Sequence, residues 1–247
     1  MEIWSDVVCP WCCVGKRRFE RALRGFEHAD EVEVEWKAFE LDPGAVSATA
    51  RAAGPSDEHA RRLAAKLGRG VEEVRAVVAS VDATAAAEGL EFHQDVSVPA
   101  NTLDAHQLVH LAGLRGVQDA VGERFLRAHF SEGEPLGDRE TLVRLAAEAG
   151  LDAAEAREVL EQGRFVDAVR ADEAEAAALG ARGVPFFVVD RRYGVSGAQP
   201  AEQFLAVLER AWADGRPLTP VGGAAEGEDE GEQVCGPDGC APSAPAS

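Results

Sequence analysis

Residues 5–19 read SDVVCPWCCVGKRRF and place Cys9, Cys12 and Cys13 within five positions, in a chain that has only five cysteines. The other two, Cys235 and Cys240, stand in CGPDGC near the C-terminal end. Cysteines so spaced can hold a metal, cycle between dithiol and disulfide, or sit inert in a core. Four thiolates from Cys9, Cys12, Cys235 and Cys240 would match the count of a structural zinc site. Against zinc, the first pair opens a helix directly after a strand, and the second is spaced C-x4-C in an acidic, glycine-rich stretch. The redox reading uses the position better, and no metal is expected. A helix N-terminus offers unpaired N–H groups and the positive end of the helix dipole, and both favour thiolate over thiol. Lys16 and Arg17, one to two turns on, are expected to add positive potential. Cys9 is therefore the expected nucleophile and Cys12, three residues later, the thiol that resolves a mixed disulfide. Pro10 fits the first helical position and stiffens the turn. Cys13 points about 100° further round the helix and reads as a buried, inert thiol.

These residues need a frame. MEIWSDVV reads as a buried strand, and Phe19, Ala22, Leu23 and Phe26 mark one face of the helix that follows. VEVEWKAF alternates Val32, Val34 and Trp36 with Glu33, Glu35 and Lys37, the period of a half-buried strand with its carboxylates toward solvent, and ELDPG closes it. Strand, helix and strand in this order predict a parallel pair. From Pro55 to about Gly180 six or seven segments carry helical spacing, most stopping at glycine and several starting at Asp, Asn or Ser. Strand character returns in GVPFFVVDRRYGVSGAQ, and the helix AEQFLAVLERAW ends near Trp212. Residues 221–247 hold six acidic side chains and no basic one, which predicts a flexible tail. The expected organisation is residues 1–50 with 181–215 as one α/β domain, 51–180 as a helical insertion, and 216–247 as the tail.

Composition narrows the function. At 46% hydrophobic and 28% charged the chain is globular. A net charge of −19 disfavours binding to nucleic acid or an anionic membrane. No stretch approaches the ~18 apolar residues of a membrane span, and MEIWSDVV has no leader character, so a cytoplasmic protein is expected. An odd cysteine count in a reducing compartment argues for catalytic rather than structural thiols. His106 and His110, spaced i and i+4, lack an evident third ligand and read as helix-face residues; Asn101 and Thr102 read as helix caps. A buried acid beneath Cys12 would serve as proton acceptor, but the sequence marks none.

CPWC after a short N-terminal strand, a helical insertion and GVPFFVVD far downstream resemble the DsbA family within the thioredoxin fold. The opening SD-x-x-CPWC-x-x-G (Ser5 to Gly15), ANTLDAH (100–106) and GV-x-G-x-Q (Gly194 to Gln199) are similar to its FrnE-like cytosolic branch. The resemblance covers roughly residues 1 to 213. It implies an α/β, thioredoxin-like fold with a large helical insertion. It also implies a thiol–disulfide oxidoreductase or isomerase acting on protein thiols and disulfides. In that family a cis-proline loop faces the active-site disulfide and keeps metal off the thiolates, and Val184-Pro185 matches it. Trp11 lacks the ionisable ring of a histidine, so a couple less oxidising than the periplasmic DsbA type is expected. No cofactor is implied beyond the redox-active disulfide, with glutathione or thioredoxin as candidate reductant. Kappa-type glutathione-dependent isomerases and transferases share the outline but carry serine where Cys9 sits. FrnE-like proteins are also linked to polyketide biosynthesis, which leaves a small-molecule thiol open as partner. The non-enzymatic alternative is a redox-sensitive binding or holdase module. Gly-Pro-Asp-Gly is a tight-turn sequence, so Cys235 and Cys240 read as a second redox pair that exchanges with Cys9 and Cys12.

Overall fold

The computed structural model describes residues 1–48 and 58–215, which form one compact unit within Met1–Gly215. Its sheet has four short strands: β1 (Glu2–Ser5), β2 (Glu35–Ala38), β3 (Phe186–Val189) and β4 (Tyr193–Ser196), in the order β2-β1-β3-β4. β1 and β2 run parallel, joined by helix α1 (Pro10–Gly25), as a strand–helix–strand opening requires. β3 pairs antiparallel with β1 and β4 antiparallel with β3, the turn between them carrying Asp190 and Arg191 at φ of 51° and 56°. β2 is shorter than its alternation predicts. Val32 and Val34 lie before the strand, behind a 3-10 turn at Ala29–Glu31, and are only partly buried.

Alternation in the strands builds a core on each face of the sheet. Ile3 and Phe187 point to the face covered by α1 and by helix α9 (Ala201–Gly215), where they meet Phe19, Phe26, Phe204 and Leu208. Trp4, Phe186 and Val188 point the other way, against Ala176 of helix α8 (Val166–Ala178). The Trp4 indole N–H donates to the Asp172 carbonyl at 2.8 Å, which satisfies the one polar atom of a fully buried ring.

Seven helices fill the described part of the segment between β2 and β3. They are α2 (Glu58–Leu67), α3 (Val71–Ala87), α4 (Leu103–Leu114), α5 (Gln118–Arg127), α6 (Arg139–Glu148), α7 (Ala153–Gln162) and α8. Leu108, Leu111, Phe125, Leu142 and Leu145 form a second core among α4–α6, with Leu160 from α7. Asp138 and Asp152 cap α6 and α7 through their side chains, at 2.9 Å and 2.8 Å. Of the two caps expected before α4, Asn101 accepts from the Leu103 N–H at 3.1 Å, whereas the Thr102 side chain makes no capping bond. A single π-turn, Ala128–Glu132, follows α5 and sets His129 and Phe130 inward.

Candidate active site

α1 begins where β1 ends, and this places the cysteines. Cys9 is its N-cap, with extended φ and ψ of −96° and 112°, and Pro10 is the first helical residue. The Cys9 N–H donates to the Asp6 carbonyl at 3.1 Å, and the Cys9 carbonyl accepts from the Cys12 N–H at 3.0 Å. No carboxylate stands in the first turn, so the helix dipole there is not offset. Trp11 is 41% exposed between two buried cysteines.

The Cys9 thiol donates to the Val184 carbonyl at 3.6 Å, so the sulfur lies against the loop that leads into β3. The Val184–Pro185 peptide bond is cis. The Pro185 carbonyl accepts from the Gly197 N–H at 2.8 Å, which ties the loop to the end of β4. α1 passes this loop at Gly15, where a Cβ would lie 2.9 Å from Pro185 Cγ and 3.3 Å from Phe187 Cζ. Glycine is the only residue that permits so close an approach without displacement.

Cys12 turns inward and is 2% exposed. Burial pushes its thiol well above the ordinary value, as does the Cys9 sulfur beside it, against hydrogen bonds from the Ser5 hydroxyl and the Asp6 N–H. Cys13 packs on Leu126 and Phe130, and burial likewise holds its thiol high. A cavity of about 280 Å³ opens beside it, bordered by Arg17, Leu90, Phe92 and Glu123.

Lys16 and Arg17 are both ion-paired. Lys16 is only 4% exposed, and its ammonium is bound to Glu20, to Asp119 at 3.1 Å and to Glu123 at 3.3 Å. Arg17 bridges the same Glu20, at 2.8 Å, and Glu123. Both cations are matched by carboxylates of α1 and α5, and these pairs tie α1 to the helical segment.

Sequence reasoning missed a group of buried polar residues that begins with Asp6. Asp6 is fully buried, and its Oδ2 accepts from the Leu41 N–H at 2.8 Å. Its Oδ1 faces Nε2 of His106 at 3.4 Å, and His106 is 2% exposed rather than on an open helix face. His129 is buried nearby, hydrogen-bonded through Nε2 to Ser97 Oγ at 3.1 Å, and its pKa falls to about 4, chiefly by burial. His110 meets a different acid, Asp172, at 3.0 Å, so the two histidines of α4 do not converge. Among the described residues no group of three or more His, Cys, Asp or Glu is placed to hold a metal ion. The signal was present in SD-x-x-CPWC and ANTLDAH: one motif supplies Asp6, the other His106, and folding brings them together. Cys235 and Cys240 lie outside the described residues.

Residues 1–209 match the DSBA-like thioredoxin domain. The chain belongs to that family. A probable DsbA oxidoreductase from Streptomyces coelicolor is 48% identical and superposes with a TM-score of 0.79, over 97% of each chain. The uncharacterized protein YwbO of Bacillus subtilis (strain 168) is 30% identical over 171 residues, 69% of this chain and 76% of that one. The cytosolic disulfide reductase DsbM from Pseudomonas aeruginosa, solved with GSH, shares the fold at 21% identity and a TM-score of 0.59, over 86% of this chain and 98% of that one. The DsbA-like fold with its helical insertion, expected from CPWC and the downstream GVP, is the observed one.

Proposed function

We propose that the protein is a cytoplasmic thiol–disulfide oxidoreductase of the FrnE-like kind that exchanges disulfides with protein substrates through Cys9 and Cys12. The observation that carries this reading is the arrangement of the pair. Cys9 caps a helix with its sulfur against the Val184 carbonyl, and Cys12, three residues on, is buried. An extended substrate chain can pair with the backbone around Val184 and present its disulfide to Cys9. The Cys9 thiolate attacks one substrate sulfur, the substrate disulfide breaks, and the other substrate sulfur leaves as a thiolate. The Cys12 thiolate then attacks Cys9, forming the Cys9–Cys12 disulfide and releasing the reduced substrate. Run backwards, the same steps oxidise a substrate dithiol. Pro10 and Trp11 set the turn between the sulfurs, and Trp11, exposed beside them, offers an apolar contact to the incoming chain. Cys235 and Cys240 are proposed as a second pair that relays electrons to or from the first.

Support comes from family membership and from the 48% identical oxidoreductase of Streptomyces coelicolor. Among the described residues no helix is long and apolar enough to cross a membrane. The test is thiol-driven reduction of insulin by the wild type and by Cys9→Ser, Cys12→Ser and Cys235→Ser/Cys240→Ser variants. Turnover should vanish without Cys9, stall as a trapped substrate adduct without Cys12, and slow without the second pair. Undiminished turnover in Cys9→Ser would exclude the reading.

A further inference from the structure

The motif GV-x-G-x-Q, Gly194 to Gln199, has no part in the chemistry described above, yet it is bonded to the loop that carries Val184. Its backbone groups can be followed one by one. Gly197 takes a φ of 78°, a left-handed conformation that glycine adopts without strain. Its N–H donates to the Pro185 carbonyl at 2.8 Å, and its carbonyl accepts from the Gln199 N–H at 3.0 Å. The Gln199 side-chain amide closes the turn by donating to the Ser196 carbonyl at 2.8 Å. That leaves the Ala198 carbonyl, which is partly buried and needs a donor of its own.

Arg18 supplies it. Its Nη1 donates to the Ala198 carbonyl at 2.6 Å, and its Nε donates to Glu88 Oε1 at 2.6 Å. Arg18 follows Gly15 by three residues, so the two share a face of α1. α1 thus meets the proline loop at Gly15 and, one turn on, the segment that holds that loop. A guanidinium is a rigid fork, so fixing one nitrogen aims the others. Glu88, which ends α3, does the fixing. Its side chain is 7% exposed, and Arg21 binds its second oxygen. A carboxylate so far removed from water is anchored by its two cations and anchors them in turn.

The order imposed on this turn reaches the reacting sulfur through few soft bonds. The Pro185 carbonyl is held by Gly197, and the Val184 carbonyl, one residue earlier, accepts from the Cys9 thiol at 3.6 Å. The peptide plane between them is rigid and the proline ring fixes φ, so only ψ of Pro185 separates the two carbonyls. We infer that Arg18, held by Glu88, positions the Val184 backbone for an extended chain and so makes the site select peptide disulfides over small ones. This rests on the reading of Cys9 as the reacting thiol and of Val184 as the pairing backbone.

The step served is capture. The Cys9 thiolate forms a bond to one substrate sulfur, the substrate disulfide breaks, and its electron pair leaves on the other sulfur. A small disulfide needs only access to Cys9 for this. A peptide gains in addition the hydrogen bonds of its backbone to Val184, and these count for most when the acceptor need not be ordered during binding. Arg18 and Glu88 touch neither the substrate nor the sulfurs; both are positioning residues.

The test uses the full chain with Cys12→Ser, Cys13→Ser, Cys235→Ser and Cys240→Ser as parent, so that Cys9 alone can react. Two reagents release the same coloured aromatic thiolate. One is the symmetric aromatic disulfide; the other is an extended peptide whose single cysteine is bonded to that thiol. The readout is the ratio of the peptide's second-order rate constant to that of the symmetric reagent, each divided by its rate constant with free N-acetylcysteine. A general loosening of the fold moves both rates together and leaves the ratio unchanged. Arg18→Gln should lower the ratio about tenfold and Glu88→Gln about threefold, as loss of charge-assisted hydrogen bonds implies. Arg18→Lys, which keeps a cationic donor, should recover part of the loss. Glu88→Gln leaves the guanidinium in place and decides the matter if Arg18→Gln does not fold. Ratios within about twofold of the parent, or equal slowing with both reagents, overturn the proposal. A parent that captures both reagents with no preference beyond that of N-acetylcysteine overturns pairing at Val184, and the positioning role with it. A parent that captures neither removes Cys9 as the reacting thiol, and both inferences fall.

Discussion

Replacing Gly15 with alanine tests how α1 meets the proline loop. The added Cβ would lie 2.9 Å from Pro185 Cγ, 3.3 Å from Phe187 Cζ and 3.5 Å from Ala198 Cβ. Ordinary carbon contacts are at ~3.5–4.0 Å, so the Pro185 ring must retreat by roughly half an ångström or more. Overpacking of this kind costs about 1–3 kcal/mol. Alanine in a helix interior regains about 1 kcal/mol over glycine. The net expectation is a loss of about 0–2 kcal/mol, read in urea unfolding as a lowered midpoint with an unchanged slope. Function should suffer more than stability, because any retreat of Pro185 carries the Val184 carbonyl away from the Cys9 sulfur. Capture of a peptide disulfide by Gly15→Ala should slow about tenfold, equivalent to about 1.4 kcal/mol in the barrier. A variant about 1 kcal/mol more stable than wild type, with undiminished capture, would mean that helix and loop do not touch as described.

Three further outcomes follow from the buried groups. His129 is held below its ordinary 6.5, at about 4, so as pH falls the unfolded chain takes up its proton first. Stability is undiminished above about 6.5 and falls by about 3 kcal/mol between there and about 4, a loss that denaturation of His129→Gln should show to be reduced. Cys13→Ala should leave turnover within about twofold while costing about 1 kcal/mol in urea unfolding, since the thiol only packs on Leu126 and Phe130; lost turnover would give Cys13 a chemical role. Glu88, its side chain 7% exposed, accepts from Arg18 and Arg21 across α3 and α1. Glu88→Gln should cost about 2 kcal/mol in the same assay.

Local chemistry was legible where a residue's neighbours in the chain decide its place. The helix after CPWC, the parallel β1 and β2, the aspartate caps at Asp138 and Asp152 and the strand pair around Asp190 and Arg191 are of that kind. Reasoning failed where a distant partner decides. Lys16 and Arg17 read only as sources of positive potential; Glu20 is close in the chain, but their partners Asp119 and Glu123, on α5, are a hundred residues away in sequence. His106 shows the same effect: α4 is apolar on several faces, so its periodicity does not reveal which side meets Asp6. Val32 and Val34 alternate correctly, yet the ladder to β1 begins only at Glu35, opposite Glu2. Hydrophobic period reports a buried face; it does not report what faces it.

The most direct test of Cys9 and Cys12 as an exchangeable couple is equilibration of the full chain in glutathione redox buffers, followed by acid quenching and peptide mapping. A Cys9–Cys12 disulfide should appear and disappear reversibly with buffer poise, unchanged in Cys13→Ser and absent in Cys9→Ser and Cys12→Ser. A Cys12–Cys13 bond, or cysteines that stay reduced across the whole range of poise, would contradict it.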